Sequence, residues 1–289
     1  MLLFTERGKK VFRSVGIVAR YDKKPALALA DELAGYLQKR NLQVFMEDTL
    51  EGKVNAQAKP VPLKDMKTDF IITIGGDGTI LRTCVTVPKP EPPILGVNMG
   101  VRGFLTEVEP KDALAAVDRI LKGEFKVEKC SKLVASADGE TLPDALNDVV
   151  VSGGEPSKIL YMQISKDGQP IMKCAADGLI VSTQTGSTGY SLSAGGPVLD
   201  PEVDAIVVTP ICSLTTFRSL VFPANSKVTI ESLRPKDILV IIDGNYRRVV
   251  PAKKPSVTVV RSENVTSFIR FKEDFYNRLQ SRLLFKGTG

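Results

Sequence analysis

No histidine occurs in the 289 residues, and that absence removes every mechanism that needs an imidazole: the Ser-His-Asp and Cys-His pairs and any histidine general base. Proton transfer in this chain must rest on a carboxylate, a lysine, a tyrosine or water. Cys84, Cys130, Cys174 and Cys212 are far apart with no Cys-x-x-Cys spacing, so they read as buried reduced thiols rather than as zinc ligands or a disulfide framework. No apolar run approaches the ~20 residues of a membrane span. The apolar part of Met1-Leu2-Leu3-Phe4-Thr5-Glu6-Arg7 is too short for a signal peptide, so the expected location is the cytoplasm, with no membrane partner. Short basic clusters such as Lys9-Lys10, Arg247-Arg248 and Lys253-Lys254 never exceed two residues. The net charge of +6 therefore favours phosphorylated ligands in general and gives nucleic acid no specific support.

Against these absences stands Gly75-Gly76-Asp77-Gly78-Thr79, which follows the apolar run Phe70-Ile71-Ile72-Thr73-Ile74 and precedes Ile80-Leu81-Arg82-Thr83-Cys84-Val85. The order predicts a buried strand, a glycine-rich turn and the start of a helix capped by Thr79. Glycines let the backbone turn tightly and let a ligand come close, and the amides exposed at such a turn attract phosphate. Asp77 conflicts with that picture. A carboxylate in a phosphate cradle repels its guest unless it binds a metal, holds a substrate hydroxyl or takes up a proton. On its own the stretch also fits an ordinary strand-to-helix turn with Asp77 solvated.

At 289 residues, 43% hydrophobic and 25% charged, the chain suits two domains of a globular protein. Ser14 to Ala19 reads as a strand, Pro25 to Lys39 as a helix with Leu29, Leu33, Tyr36 and Leu37 at helical spacing, and Gln43 to Met46 as a second strand. Glu47 to Pro60 is polar and reads as an irregular mobile loop. After the Gly75 turn come the proline-rich connection Pro88 to Pro93, the strand Ile94 to Asn98, and a helix with Pro110 at its start and Gly123 at its end. Strands alternating with helices imply a doubly wound, Rossmann-like parallel sheet, with ligands at the carboxyl ends of its strands. Both Gly75 to Thr79 and a second glycine-rich loop, Asn98-Met99-Gly100-Val101-Arg102-Gly103-Phe104-Leu105, belong at that end. From Lys126 the texture changes to alternating β-branched segments with hairpin signals at Asp138-Gly139 and Asp167-Gly168. The expectation is an α/β domain over residues 1–125 and a β-rich domain, a β-sandwich, over residues 126–289. The amphipathic stretch Asp274 to Leu284 is expected as a helix packed back on the first domain.

The stretch Asp177-Gly178-Leu179-Ile180-Val181-Ser182-Thr183-Gln184-Thr185-Gly186-Ser187-Thr188-Gly189-Tyr190-Ser191-Leu192-Ser193-Ala194-Gly195-Gly196-Pro197 gathers one carboxylate, a row of hydroxyls, a tyrosine and several glycines. Hydroxyls and exposed amides suit ribose and phosphate oxygens, and a tyrosine stacks on a purine or nicotinamide.

Gly-Gly-Asp-Gly-Thr after a buried strand resembles the signature of a superfamily that includes NAD kinases, diacylglycerol kinases and sphingosine kinases. Taken with Asn98 to Leu105, Asn147-Asp148, the long 177–197 stretch and Asp243-Gly244-Asn245, the chain resembles the NAD kinase family over most of its length. The resemblance implies phosphorylation of NAD to NADP at the adenosine 2′-hydroxyl, with ATP or polyphosphate as donor and magnesium accompanying it. It implies that Asp77 is catalytic and that Gly76, Gly78, Thr79 and Arg82 lie beside the phosphates. Phe104, the Asn147-Asp148 pair, Asp177, Thr185, Thr188, Gly189, Tyr190, Ser191, Leu192, Ser193 and Asn245 would complete the nucleotide contacts. Lys158 falls where the family often places a basic or imidazole side chain. The family also suggests a homodimer or homotetramer. Gly189 replaces a usual alanine, Asn245 a common glutamine, and Thr209 to Val221 lacks a frequent histidine, which puts contacts from Pro210 to Leu214 in doubt. Two other readings stand beside this one: a lipid or related small-molecule kinase, and a dinucleotide-binding protein without catalysis.

Overall fold

A computed structural model describes residues 12–100, 103–154, 159–251, 253, 255–272 and 274–283. The chain divides into two compact units, one comprising Met1–Lys129 and Thr266–Gly289, the other Cys130–Val265. In chain order the elements are β1 Ser14–Ala19, α1 Lys24–Gln38, β2 Gln43–Glu47, β3 Lys59–Val61, β4 Phe70–Gly75, α2 Asp77–Thr86, β5 Ile94–Asn98 and α3 Ala113–Lys122. There follow β6 Lys126–Ala137, β7 Glu140–Thr141, β8 Asp148–Gly153, β9 Leu160–Lys166, β10 Gln169–Ala176, β11 Gly178–Ser182, α4 Tyr190–Ser193 and β12 Ala205–Ile211. The last are β13 Leu220–Pro223, β14 Val228–Ser232, β15 Ile238–Ile242, β16 Tyr246–Val250, β17 Ser256–Arg270 and α5 Phe275–Leu283.

In the first unit β5, β4, β1, β2 and β3 lie side by side in that order, all parallel, and Phe268 near the end of β17 pairs with Ile94 of β5. β4 is buried at all six positions, which is why it reads as an unbroken apolar run: helices on both faces of a parallel sheet leave no polar side. α1 buries Ala26, Leu29, Ala30, Leu33, Ala34 and Leu37, one stripe at helical spacing, and begins with Pro25 in its first turn. α3 ends at Gly123 with φ 77°, the left-handed cap that glycine takes without strain. The stripes of α1 and α3 share a core with Ile72 and Ile74 of β4 and Leu95 and Val97 of β5. This places the carboxyl ends of β4 and β5 in one register, Gly75 beside Asn98, with a glycine-rich loop after each.

Two expectations change here. The 47–60 segment is ordered into a short 3-10 turn, Asp48–Leu50, followed by the parallel edge strand β3. Its one fully buried apolar side chain is Leu50, and a single apolar side chain carries no period to read. Thr79 does not cap α2. The helix starts two residues earlier, with Gly76 as its N-cap, and Thr79 lies buried in the first turn.

The second unit is built of two sheets, β10-β9-β14-β17 and β13-β12-β11-β8-β15-β16, antiparallel at the pairings of both. The hairpin at Asp138-Gly139 joins β6 to β7 and that at Asp167-Gly168 joins β9 to β10, with positive φ at all four turn residues, as a two-residue turn of matched twist demands. A short 3-10 turn at Thr185–Thr188 and the single-turn α4 interrupt the strands after β11. Among the described residues no helix is long and apolar enough to cross a membrane.

Truncating Ile72, fully buried in the strand that carries the Gly75 turn, removes packing on the face of β4 that shares a core with α1 and α3. Ile72→Ala is expected to cost about 2–5 kcal/mol in denaturant unfolding followed by circular dichroism. An unchanged midpoint would contradict the packing described.

Candidate active site

The first unit presents its chemistry on the two loops after β4 and β5. A Cβ on Gly75 would stand 2.2 Å from Thr79 Oγ1, so the threonine occupies the space that any larger residue at 75 would need. Asp77 is the first residue of α2, where a negative charge meets the positive end of the helix dipole. Its carboxylate accepts two backbone hydrogen bonds from the second loop, Oδ2 from the Phe104 N–H at 2.9 Å and Oδ1 from the Leu105 N–H at 3.1 Å. Gly103 makes this approach possible. A Cβ there would lie 2.0–2.6 Å from the three carboxylate atoms of Asp77. Gly76 and Gly78 differ, because a Cβ on either would meet nothing within 4 Å. Internal packing does not account for them, whereas a ligand lying against the helix N-terminus would.

Arg82, expected beside the phosphates, is held here by Glu47 at the end of β2, with one terminal nitrogen on each carboxylate oxygen, the Nη2–Oε2 bond at 2.8 Å. Glu47 is 2% exposed, and a desolvated carboxylate requires this partner. The Glu47 hydrogen bonds raise the Arg82 pKa above its ordinary value despite burial. Val101 and Arg102 of the second loop lie outside the described residues.

In the second unit the Asn147-Asp148 pair is fixed by its backbone. Asp243, at φ 48° in the turn after β15, accepts the N–H groups of Leu146 at 2.7 Å, Asn147 at 2.8 Å and Asp148 at 3.0 Å. Thr183 takes the opposite side: its hydroxyl donates to the Leu146 carbonyl at 2.6 Å and its N–H to the Asn147 carbonyl at 2.9 Å. Gly186 crosses so closely that a Cβ would stand 1.9 Å from the Asn147 carbonyl oxygen. Asn147 Oδ1 is buried without a partner, while its Nδ2 lies 3.3 Å from where a Cβ on Gly189 would be. The glycine in place of a usual alanine thus opens room beside the Asn147 amide.

Asp148 is buried, and burial first, then the charge of Asp243, pushes its carboxyl up to about 7. Burial also raises Asp243, opposed by the three N–H donors and by Lys132, which is itself fully buried in this unit.

The remaining expected residues take distinct positions. Tyr190 is 48% exposed and available for stacking, and Ser193 is exposed beside it. Ser191 faces inward, its hydroxyl 2.9 Å from that of Thr209. The Thr188 hydroxyl closes its own turn on the Thr185 carbonyl at 3.0 Å, and Leu192 is half-buried. Asp177 sits half-buried between β10 and β11. Asn245 donates to the Asp243 carbonyl at 2.7 Å and so closes the turn that holds Asn147. Cys212, in the segment of doubtful contacts, is exposed at φ 47°. Lys158 lies outside the described residues. Sequence reasoning did not single out Gly103, Thr183, Lys132 or the anchoring role of Asp243. Apart from the family resemblance, the residues around Asp243 offered only a turn motif, and a turn needs no such role.

Comparison with known proteins supplies what geometry cannot. The family model described as the ATP-NAD kinase N-terminal domain matches residues 15–125, and the one described as the ATP-NAD kinase C-terminal domain matches residues 146–271. The NAD kinase of Pyrococcus furiosus is 42% identical over 272 residues, covering 93% of this chain and 98% of that protein. That of Methanothermobacter thermautotrophicus is 38% identical over 273 residues, covering 93% and 96%. Among solved structures, an NAD kinase from Archaeoglobus fulgidus in complex with ATP superposes with a TM-score of 0.75 at 26% identity, covering 93% of this chain and 99% of that one. Yeast NADH kinase complexed with NADH shares the fold, with a TM-score of 0.87 at 23% identity over 98% of this chain and 90% of that one.

Two outcomes are expected from this geometry. Gly103→Ala forces a methyl group onto the Asp77 carboxylate and is expected to break the hydrogen bonds from Phe104 and Leu105, at a cost of about 1.5–3 kcal/mol each in denaturant unfolding; an unchanged midpoint would contradict the contact. Asp148 has a folded pKa above its unfolded one, so its contribution to stability falls as pH rises from about 4 to about 7 and stays low above that. Asp148→Asn should therefore raise the melting temperature more at pH 8 than at pH 5. An equal change at both would show that the carboxyl is not held as described.

Proposed function

This chain belongs to the NAD kinase family, and on that footing we propose that Asp77 is its catalytic residue in transferring the terminal phosphoryl group of ATP to the adenosine 2′-hydroxyl of NAD. The observation that carries the proposal is the Asp77 carboxylate, set at the start of α2 by the amides of Phe104 and Leu105, beside two glycines that packing does not require. Asp77 orients the hydroxyl and accepts its proton as the new O–P bond forms and the bond to the departing ADP oxygen breaks. The amides at Gly76, Gly78 and the first turn of α2 receive phosphate oxygens. In the second unit Asn147, with its unpartnered Oδ1, and Asp148 hold the dinucleotide, Tyr190 stacks on a ring, and Asp177, Thr188 and Ser193 contribute polar contacts.

Magnesium is part of the same reading. Among the described residues no group of three or more acidic or sulfur side chains is placed to cage a cation. Magnesium, carried on the donor's phosphates, would neutralise developing charge there. Polyphosphate as a second donor, a cytoplasmic location and a homodimer or homotetramer are proposed from family likeness. The match along both units leaves the lipid-kinase and non-catalytic readings without support.

The test is NADP formation from NAD, magnesium and either ATP or polyphosphate, coupled to an NADP-specific dehydrogenase. Asp77→Asn is expected to lose on the order of 100-fold or more in turnover, the contribution of a positioned general base, while NAD affinity by calorimetry stays within about threefold. Equal rates for mutant and wild type would remove the proposed role.

A further inference from the structure

The segment that donates to Asp77 is itself gripped from the far end of the chain. Arg278 of α5, 8% exposed, directs Nη1 to the Phe104 carbonyl at 3.0 Å and to the Thr106 carbonyl at 3.1 Å. Arg270, the last residue of β17, directs Nη1 to the Leu105 carbonyl at 2.8 Å. Three successive carbonyls thus face guanidinium groups, while the N–H groups of Phe104 and Leu105 face the Asp77 carboxylate. Each arginine is held in turn: Arg278 Nε lies 2.7 Å from Asp274 Oδ1, and Arg270 pairs with Glu107 and Glu128, the latter at 2.6 Å. Glu107 also accepts the Phe271 N–H at 2.7 Å, and the Phe104 and Phe275 rings lie 6.2 Å apart.

One peptide group connects the two ends. The carbonyl of Phe104 and the N–H of Leu105 belong to the same amide. Arg278 therefore donates to one side of that amide, and its other side donates to Asp77. A cation at the carbonyl polarises the amide and strengthens the bond its N–H makes, an effect of hydrogen-bonded chains in low-dielectric surroundings. Arginine suits the task because it keeps its charge and offers several donors in a fixed plane, so one side chain reaches two carbonyls and a carboxylate together. A buried cation with charged partners is also an expensive way to fasten a helix, since apolar packing would do so at lower desolvation cost.

We propose that Arg278 is a positioning residue for the phosphoryl-transfer step, acting through the Phe104–Leu105 amide on Asp77, so that the C-terminal helix is part of the catalytic apparatus. The inference rests on Asp77 being catalytic.

The test is a double-mutant cycle on the full-length protein with Asp77→Asn, Arg278→Met, Arg278→Lys and the combinations, reading kcat, the KM for NAD and the melting temperature of each. Arg278→Met is expected to lower kcat on the order of 10–100-fold with the KM for NAD within about threefold, since a reacting group has been misplaced and not a binding one. Arg278→Lys, which keeps the charge but loses the planar set of donors, should show a smaller deficit, on the order of threefold to tenfold. In the Asp77→Asn background either change should cost less than about twofold, because residues that act as one unit are non-additive. Should Arg278→Met fail to fold, the Lys variant carries the cycle: a deficit that vanishes with Asp77→Asn supports the role. A wild-type kcat in Arg278→Met beside an inactive Asp77→Asn overturns it, as does a loss that adds in full on the Asp77→Asn background. Wild-type turnover in Asp77→Asn itself overturns the reading of Asp77 and this inference with it.

Discussion

A carboxylate at the first position of a helix, held by two peptide N–H groups from the neighbouring loop, is the contact on which the first unit's site depends. It accounts for Gly103, whose missing Cβ leaves room for Asp77, and it explains why the loop after β5 must run back over the loop after β4. The parallel pairing of β4 and β5 delivers both loops to the same edge, with Gly75 opposite Asn98. Hydrogen bonds to a charged acceptor contribute about 1.5–3 kcal/mol each, enough to hold one orientation of a side chain that would otherwise turn freely.

The second unit uses the same device for another purpose. Asp243 gathers three consecutive N–H groups, and Thr183 satisfies two carbonyls of the same segment, so the backbone of 146–148 is fully committed. None of these bonds uses the side chain of Asn147 or Asp148. The cost of this arrangement is electrostatic: two carboxyls share a buried region with Lys132, and Asp148, which accepts none of those N–H groups, is pushed up to about 7. In each unit a carboxylate organises backbone amides and the rigid backbone in turn presents chemistry.

Much of the fold was legible because its signals are periodic. The stripe of α1, the unbroken apolar run of β4 and the paired Asp-Gly turns each carry their own spacing, and the elements begin and end close to where that spacing puts them. The segment after β2 was not legible, because one buried Leu50 carries no period. Gly-Gly-Asp-Gly-Thr marked Asp77 by chemical conflict, a carboxylate among amides suited to phosphate. What the motif did not reveal was the source of its partners. The amides of Phe104 and Leu105 lie 27 and 28 residues away, Arg278 lies 174 residues from Phe104, and Asp243 lies 97 residues from Leu146. Local spacing says nothing about contacts of that range. Thr79 misled for a related reason: a threonine near a helix start suggests a cap, but the helix begins at Asp77 and leaves Thr79 to fill the space over Gly75.

The most direct test of this account is a crystal structure of the protein with NAD and a non-hydrolysable ATP analogue. The account predicts the adenosine 2′-hydroxyl within hydrogen-bond reach of the Asp77 carboxylate, about 2.6–3.2 Å, with the Phe104 and Leu105 amides still donating to it. A 2′-hydroxyl bound by some other group, with Asp77 turned away or its two amide bonds broken, would contradict it.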